Sequence, residues 1–298
     1  MALNLTLEDA RKNVQVLFKS SPFGTQSHGY EAQNSFLLNA FGERLLIRSG
    51  YRDLYGSAHH KDWMWHTRSV NSITLGGRGQ GKRTAAAVGR ITEFHTSEVL
   101  DYVSGEAAAA YGGLLNSFAR RVLFLKPDLI VIFDTLLATE PTTFEWWLHA
   151  ENEMMVKDQT EITVTGKIGA AKVSFLAPEN LEIRQTNRFD PPPRPRIKLV
   201  QWHLFAATQE PKIWASFVTV IRPYERGTSE PGPVSITPAP GVGYTLTANL
   251  PKRSVSILLA SEPTQSALGT PRVTVRSSTS DGDKELFASD EMCPLLPE

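Results

Sequence analysis

The sequence predicts an all-β protein, a two-layer antiparallel β-sandwich made of two stacked sheets. More than a dozen short apolar or alternating segments are separated by glycine, proline, asparagine and aspartate, which is the pattern of strands joined by turns. Helix signals are confined to residues 7–11, after Thr6 as an N-cap, and to residues 105–111, before Gly112. Because strands and helices do not alternate, a parallel doubly wound sheet is not expected.

The strands are placed along the chain by their residue patterns. Residues 13–19 alternate polar and apolar side chains, as a strand with one solvent-facing side should. Residues 33–40 and 44–48 flank a short loop and predict a hairpin. The remaining predicted strands are residues 69–75, 85–95, 119–125, 129–136, 143–150, 161–165, 171–176, 181–185, 197–206, 213–221, 244–250, 254–260 and 272–276.

A central hairpin is predicted for residues 121–126 and 129–136. Pro127 presets φ for the turn between them, and Asp128 can accept a hydrogen bond from its own backbone. Residues 129–133 form a nearly continuous apolar run, which indicates a strand buried on both faces. We therefore expect this hairpin in the interior of a sheet.

The length allows one large domain, and we expect a single β-sandwich over residues 1–298. The stretch 228–243 is rich in proline, glycine and serine and offers an alternative boundary within the chain. Residues 190–195 predict a stiff, extended loop because four of the six are proline. The polar tail at 279–298 is expected to be flexible.

Composition excludes several classes of protein. Lys+Arg 31 balance Asp+Glu 31, so the chain lacks the basic surplus of a nucleic-acid-binding protein. The single cysteine, Cys293, excludes an internal disulfide framework and a cysteine zinc cluster. The N-terminus lacks the pattern of a signal peptide, and no apolar stretch is long enough to span a bilayer, so no membrane partner is expected.

Chemistry-bearing residues concentrate between Ser27 and Asn71. This segment holds four of the seven histidines and two of the six tryptophans. Imidazole and phenol groups can transfer protons, and aromatic rings stack on sugar faces, so the segment suits a carbohydrate cleft. Each residue taken singly is more often a hydrogen-bonded or half-buried part of a sandwich rim. The carboxylates of the segment do not lie in an apolar setting that would raise a pKa; they are Glu31, Glu43, Asp53 and Asp62.

Other sites give weaker signals. His59, His60 and His66 could supply nitrogen ligands, but the spacing is not typical of a metal site. The glycine-rich residues 76–82 lie between two predicted strands, so no helix N-terminus is present to hold a phosphate. No Gly-x-Ser-x-Gly sequence is present, which leaves serine-hydrolase chemistry without its usual local motif.

Several linked motifs resemble the β-sandwich half of the heparinase II/III-like polysaccharide lyases, which include alginate lyases with a heparinase-like domain. The likeness covers roughly the first half of the chain. The residues that carry it are 20–24, 27–36, 45–51, 55–57, 59–60, 67–71 and 121–134.

The resemblance implies an acidic-polysaccharide lyase that acts by β-elimination on uronate-containing glycans such as alginate or a glycosaminoglycan. A base removes the proton alpha to the uronate carboxylate, a neutralising group acidifies that proton, and an acid assists the leaving oxygen. In the family a helical toroid precedes the sandwich and supplies much of this machinery. Only a short leader precedes residue 20, so the toroid is expected to be absent from this chain.

Three residues depart from the family pattern. Tyr30 replaces the second histidine of the first motif, Arg48 replaces the turn aspartate, and Val70 replaces the last histidine. These are the metal ligands expected from the relatives, so we predict no metal and no other cofactor. Arg48 could brace the same position with a fixed positive charge, or the site could have decayed.

The resemblance assigns candidate roles. The predicted catalytic residues are His28, Tyr55 and His60. We expect His28, one tyrosine and one further histidine to line a concave patch with a tryptophan, although a buried, hydrogen-bonding His28 is the alternative. The predicted substrate-binding residues are Asn34, Tyr51, His59, Trp63, Trp65, His66 and Asn71.

The expected ligand is an acidic polysaccharide. The expected protein partner is either a toroid-bearing chain or a second copy of this chain. The other function class left open is a non-catalytic carbohydrate-binding or scaffold module that has lost the toroid and the metal site. If this sequence is a fragment of a longer protein, the family resemblance implies that the protein is periplasmic or extracellular.

Overall fold

The computed structural model describes residues 1–26, 29–51, 53–158, 160–251, 253–261, 270–280 and 282–291. Within these residues the protein is nearly all β, and every strand pairing is antiparallel, which confirms the predicted fold class. The chain divides into two compact units, Met1–Ser229 and Glu230–Glu298. The division falls within the predicted alternative boundary at 228–243, and the prediction of a single domain stays a prediction.

The strands follow one another with short connections. In the first unit they are β1 (Ala2–Asn4), β2 (Val14–Lys19), β3 (Ser35–Ala40), β4 (Glu43–Leu46), β5 (Ile73–Leu75), β6 (Arg90–Thr96), β7 (Leu100–Glu106), β8 (Leu115–Leu125), β9 (Leu129–Thr142), β10 (Phe144–Ala150), β11 (Met155–Lys157), β12 (Glu161–Thr165), β13 (Gly169–Ala177), β14 (Leu181–Thr186), β15 (Trp202–Thr208) and β16 (Lys212–Glu225). In the second unit they are β17 (Val234–Ala239), β18 (Gly243–Leu250), β19 (Arg253–Ala260), β20 (Val273–Thr279) and β21 (Gly282–Ala288).

The strands of the first unit form three sheets among the described residues. Sheet I has the order β1-β2-β3-β4, sheet II the order β14-β15-β10-β5, and sheet III the order β11-β12-β13-β16-β9-β8-β7-β6. A β-bridge between Phe36 and Asn71 connects sheets I and II. All three sheets contribute to one hydrophobic core, so sheets I and II together form the layer that packs on sheet III.

Local sequence explains the individual strands. In β2 the apolar residues Val14, Val16 and Phe18 are buried and alternate with more exposed neighbours, as the period of two requires. The β3–β4 hairpin turns at Phe41 and Gly42, which both have positive φ, 57° and 80°. Two positive φ values define the type I′ turn that matches the twist of paired strands.

The predicted central hairpin is confirmed. Strands β8 and β9 pair directly, with Leu125 opposite Leu129 across the turn, and they lie between β16 and β7 inside sheet III. Residues 129–133 are all buried, so this strand is covered on both faces. The apolar run therefore lies in the most enclosed part of the sheet.

A buried ion pair fixes sheet III to the other layer. Arg120 on β8 donates from Nε and Nη2 to the carboxylate of Asp134 on β9, at 2.7 and 2.9 Å. Its Nη1 donates to the carbonyl oxygens of Asn34 and Asn71, at 2.7 and 2.9 Å. Because Asn34 precedes β3 and Asn71 precedes β5, one guanidinium joins all three sheets.

Two helix predictions are corrected. Residues 7–11 form turns, and the Thr6 hydroxyl accepts a hydrogen bond from the Glu8 amide at 3.2 Å. The second helix shrinks to a 3₁₀ turn at Ala108–Tyr111, because the chain before it is already committed to β7. No helix in the described part of the chain is long and apolar enough to cross a membrane.

The second unit contains one sheet with the order β17-β18-β19-β20-β21 among its described residues. Strand β17 lies inside the proline-rich stretch 228–243, and β21 lies inside the polar tail 279–298. Neither strand was predicted from the sequence. Residues 292–298 of the tail are outside the described residues.

Candidate functional site

Apart from His28 and Asn34, which precede β3 in the sequence, the predicted site residues lie on the loop between β4 and β5. This loop carries a π-helical turn at His60–Met64 and a 3₁₀ turn at Thr67–Ser69. The Ser57 hydroxyl accepts the His60 amide at 3.2 Å, and His66 Nδ1 accepts the Arg68 amide at 3.1 Å. Local side chains therefore start both turns, as capping residues do.

Four side chains of this region meet in what we call the Tyr55 cluster: Tyr55, His60, Trp65 and Arg83. The ring centroids of Tyr55 and His60 are 4.9 Å apart, and those of His60 and Trp65 are 5.2 Å apart. The Arg83 guanidinium carbon lies 5.8 Å from the Tyr55 centroid and 5.3 Å from the Trp65 centroid. These distances allow cation–π attraction.

Exposure separates the members of the cluster. Tyr55 is 71% exposed, whereas His60 is 4% exposed and Trp65 is also buried. The Trp65 indole donates to His60 Nε2 at 3.1 Å, and the Gly56 amide donates to His60 Nδ1 at 3.4 Å. The structure thus offers the phenol and the guanidinium to solvent, with His60 and Trp65 behind them. Tyr51 is also exposed, at 44%.

His59 belongs to a separate, buried aromatic group. Its Nδ1 donates to the Pro191 carbonyl oxygen at 2.8 Å, and its Nε2 accepts the Tyr51 amide at 3.4 Å. Burial lowers its pKa, so the imidazole is neutral near pH 7. Trp63 is buried too and donates to the Ser49 hydroxyl at 3.1 Å. These contacts leave His59 and Trp63 as supports of the loop.

The stiff loop at 190–195 packs on this region through an ion pair. Arg194 donates from Nε to Asp53, which is buried, and its amide donates to the same carboxylate at 3.1 Å. Burial alone would raise the pKa of Asp53, but hydrogen bonds from the Leu54 amide and from Arg194 lower it to about 2. Asp53 therefore holds a loop in place and is not a proton donor near neutral pH.

His66 lies apart from the Tyr55 cluster. Burial, and then the charges of Arg68 and Lys82, lower its pKa to about 4. Lys82 pairs with Asp62 at 2.9 Å. His66 is neutral at pH 7, and since Nδ1 accepts a hydrogen bond, its proton sits on Nε2.

Glu31 is a buried titratable residue outside the predicted site. It is 2% exposed, and burial raises its pKa to about 7, against the lowering effect of a hydrogen bond from the Thr67 amide at 3.3 Å. The expectation that no carboxylate here has a raised pKa is therefore wrong. No local signal marks Glu31, since its burial comes from contacts distant in the chain.

Asn34 and Asn71 are fully buried and bind backbone. Asn34 Nδ2 donates to the carbonyl oxygens of Gly105 and Phe118, at 2.9 and 3.1 Å. Asn71 Nδ2 donates to Phe36 at 2.8 Å, and its Oδ1 accepts the His149 amide at 2.9 Å. Both residues join strands and have no exposed surface for a substrate. His28 lies outside the described residues, so its predicted role stays a prediction.

The position of the relatives' metal ligands has a different chemistry here. The Arg48 guanidinium carbon lies 3.7 Å from the Tyr30 ring centroid, and Nη2 donates to the Met64 carbonyl oxygen. Val70 is a buried apolar side chain. A cation, a phenol in contact with it and an alkyl group do not fit a divalent metal ion. Among the residues that the structure describes, no three histidine, cysteine, aspartate or glutamate side chains converge on a metal position.

A family model for the heparinase II/III-like C-terminal domain matches residues 5–220. The chain belongs to this family, and it is a polysaccharide-lyase-related module. It is similar to the solved heparan sulfate lyase HepC from Pedobacter heparinus, with 16% identity, a TM-score of 0.67, and 97% of this chain and 41% of that chain covered. It is also similar to the heparinase III BT4657 gene product, with 12% identity, a TM-score of 0.69, and coverage of 96% and 40%.

At these identities, the likeness to solved structures shows the fold alone. The chain spans about two fifths of the length of the two solved chains. Among curated protein sequences, none matches. The family resemblance predicted from the motifs is confirmed, while the roles of the individual site residues stay predictions.

Proposed function

We propose that this chain is the β-sandwich part of an acidic-polysaccharide lyase that cleaves by β-elimination. The observation that carries the proposal is the exposed phenol of Tyr55. It lies beside the Arg83 guanidinium, and both pack on the buried side chains of His60 and Trp65. An exposed aromatic ring suits a sugar face, and a neighbouring cation suits a uronate carboxylate.

Positive charge around the cluster supports an acidic ligand. Arg83 has no carboxylate within ion-pair distance among the described residues, and neither does Lys61. Arg83 and Lys61 are exposed. The chain as a whole has no formal net charge, so this is a local excess. Such an excess raises the local concentration of an anionic polymer.

The proposed reaction assigns the groups as follows. Arg83 pairs with the uronate carboxylate and makes the adjacent C–H more acidic. A base takes that proton, the C–H electrons form a carbon–carbon double bond, and the bond to the leaving sugar oxygen breaks. An acid gives a proton to that oxygen, so the products are an unsaturated uronate end and a new hydroxyl end. Tyr55 and His28 are the proposed proton-transfer pair, with His60 positioning Tyr55.

The second candidate function is a non-catalytic carbohydrate-binding module. Its support is that most of the predicted substrate-binding residues are buried and already hydrogen-bonded, including His59, Trp63 and Asn71. Such a module would bind an acidic polysaccharide through Tyr55 and Arg83 without forming an unsaturated product.

Tyr55→Phe separates the two functions, because it removes the hydroxyl and keeps the ring. If Tyr55 transfers a proton, turnover of a cleaved polysaccharide should fall by about 10²- to 10⁴-fold with nearly unchanged binding. Arg83→Met should weaken binding of the acidic polymer, and Arg11→Met is the matched control, since Arg11 is exposed and paired with Asp9. Unchanged turnover in Tyr55→Phe would remove Tyr55 from the chemistry.

A further inference from the structure

We propose that Arg48, beside Tyr30, forms an anion subsite for a carboxylate or sulfate group of an acidic sugar. The inference rests on the proposed function, since it adds a second recognition point to the same binding region. The site is distinct from the Tyr55 cluster and involves a cation that the proposed reaction does not use.

The guanidinium of Arg48 is only partly satisfied by the protein. Nη2 donates to the Met64 carbonyl oxygen, and the Tyr30 ring covers one face of the group. Nε is buried and has no hydrogen-bond partner. No carboxylate among the described residues pairs with Arg48.

A half-buried guanidinium without a counter-ion is unfavourable on its own. Burial lowers the pKa of Arg48, against the raising effect of the neighbouring Tyr30 hydroxyl. The same charge contributes, after burial, to the lowered pKa values of His59 and His149. Buried polar groups in native proteins are normally paired, and an orphaned N–H indicates a missing partner. A planar anion is the partner that a guanidinium binds best.

Arg48 is connected to the Tyr55 cluster through the ring of Tyr30. The ring of Tyr30 contacts Trp65 edge-on, with centroids 5.8 Å apart, and Trp65 is a member of the cluster. Arg48 as a residue is partly exposed. A polymer with an acidic group on successive sugars could therefore place one group at Arg83 and another at Arg48.

Two measurements on the full chain test the subsite. In the first, wild type, Arg48→Met and Arg48→Lys are titrated with a uronate oligosaccharide, and each fold is checked by circular dichroism. Loss of a charge-assisted hydrogen bond should weaken binding by about tenfold to a hundredfold in Arg48→Met. Arg48→Lys keeps the charge, so its affinity for the oligosaccharide should lie between those of wild type and Arg48→Met. Arg11→Met is the control and should bind like wild type.

The second measurement needs no variant and so does not depend on folding of Arg48→Met. Wild type is modified with phenylglyoxal, with and without the oligosaccharide or inorganic sulfate, and each arginine is followed by mass spectrometry. Protection of Arg48 by the oligosaccharide, without protection of Arg11, supports the subsite. Protection by sulfate alone would overturn its assignment to a sugar.

The outcomes separate this inference from the proposed function. If the oligosaccharide protects Arg83 and leaves Arg48 fully reactive, the subsite is wrong and the proposed function stands. If the protein binds no acidic polysaccharide but sulfate protects Arg48, the proposed function fails and Arg48 binds free anions only. Equal binding by wild type and a folded Arg48→Met would leave Arg48 as a structural brace and overturn the subsite.

Discussion

Burial acts on individual titratable residues of the site in opposite directions. It raises the pKa of Glu31 to about 7 and lowers that of His66 to about 4, because in each case the charged form loses solvation. Each side chain is therefore neutral over part of the pH range in which the same residue type in water would be charged. Asp53, which is held by Arg194 and the Leu54 amide, shifts toward its charged form instead, and so does Asp62, which pairs with Lys82.

Glu31 should make stability depend on pH. Its pKa is raised from 4.5 to about 7 in the folded state, so the folded protein holds an extra proton between these values. Stability from this group is complete below pH 4.5 and is lost as pH rises to about 7. Glu31→Gln should remove that slope and gain on the order of 3 kcal/mol over wild type above pH 7. Urea unfolding at several pH values measures it, and identical slopes for both proteins would refute the shift.

The site shows what a sequence can and cannot predict about residues. The type of residue, and the clustering of histidine and tryptophan near Tyr55, were visible in the sequence. Their contacts were not: His59 and His60 are neighbours in the chain and both are buried, yet one binds Pro191 and the other Trp65. The partner of His59 comes from the loop at 190–195, more than a hundred residues away.

At the scale of elements, alternation and apolar runs located most strands. Strand β2 and the β8–β9 hairpin follow their patterns closely. Two of the missed strands, β17 and β21, have polar or proline-containing sequences and lie at the edges of their sheet, whereas β7, which was also missed, lies buried between β6 and β8. Edge strands need little apolar content, because pairing on one side is enough to hold them, so periodicity does not reveal them.

Ile132 provides the direct test of the central hairpin. It is fully buried in β9, so Ile132→Ala should lower the free energy of unfolding by about 2–5 kcal/mol, the cost of lost burial plus a cavity. Leu137→Ala on the same strand is the control, because Leu137 is exposed and should cost about 0.5 kcal/mol or less. Chemical denaturation of both variants measures the difference, and equal losses would contradict the buried position of Ile132.

At the scale of the whole molecule, the family match and the site both fall in the first unit. The family model covers residues 5–220, and the unit covers Met1–Ser229. Within it the Arg120–Asp134 pair connects all three sheets from inside the core. The sequence predicted the strands that carry these two residues but not the ion pair, since a charged residue in a strand usually faces solvent.

Asp134→Asn should destabilise the unit strongly. It leaves the Arg120 guanidinium buried without its counter-ion and weakens the hydrogen bond from the Trp146 indole, which is 2.8 Å long. Breaking a buried pair in this way costs about 3–5 kcal/mol. Glu182→Gln is the control, since its pair with Arg184 is exposed and worth about 1 kcal/mol or less. A loss below about 1 kcal/mol for Asp134→Asn, measured by urea unfolding, would show that the pair does not hold the sheets together.

The central claim, that this sandwich takes part in β-elimination on acidic polysaccharides, is tested most directly by product formation. The full chain is incubated with heparan sulfate, alginate and other uronate-containing glycans, and with a neutral glycan as control, while absorbance of the unsaturated uronate is followed. The account predicts an absorbance increase with at least one acidic glycan and none with the neutral one. Binding of an acidic glycan without any unsaturated product would contradict the lyase assignment and leave a carbohydrate-binding module.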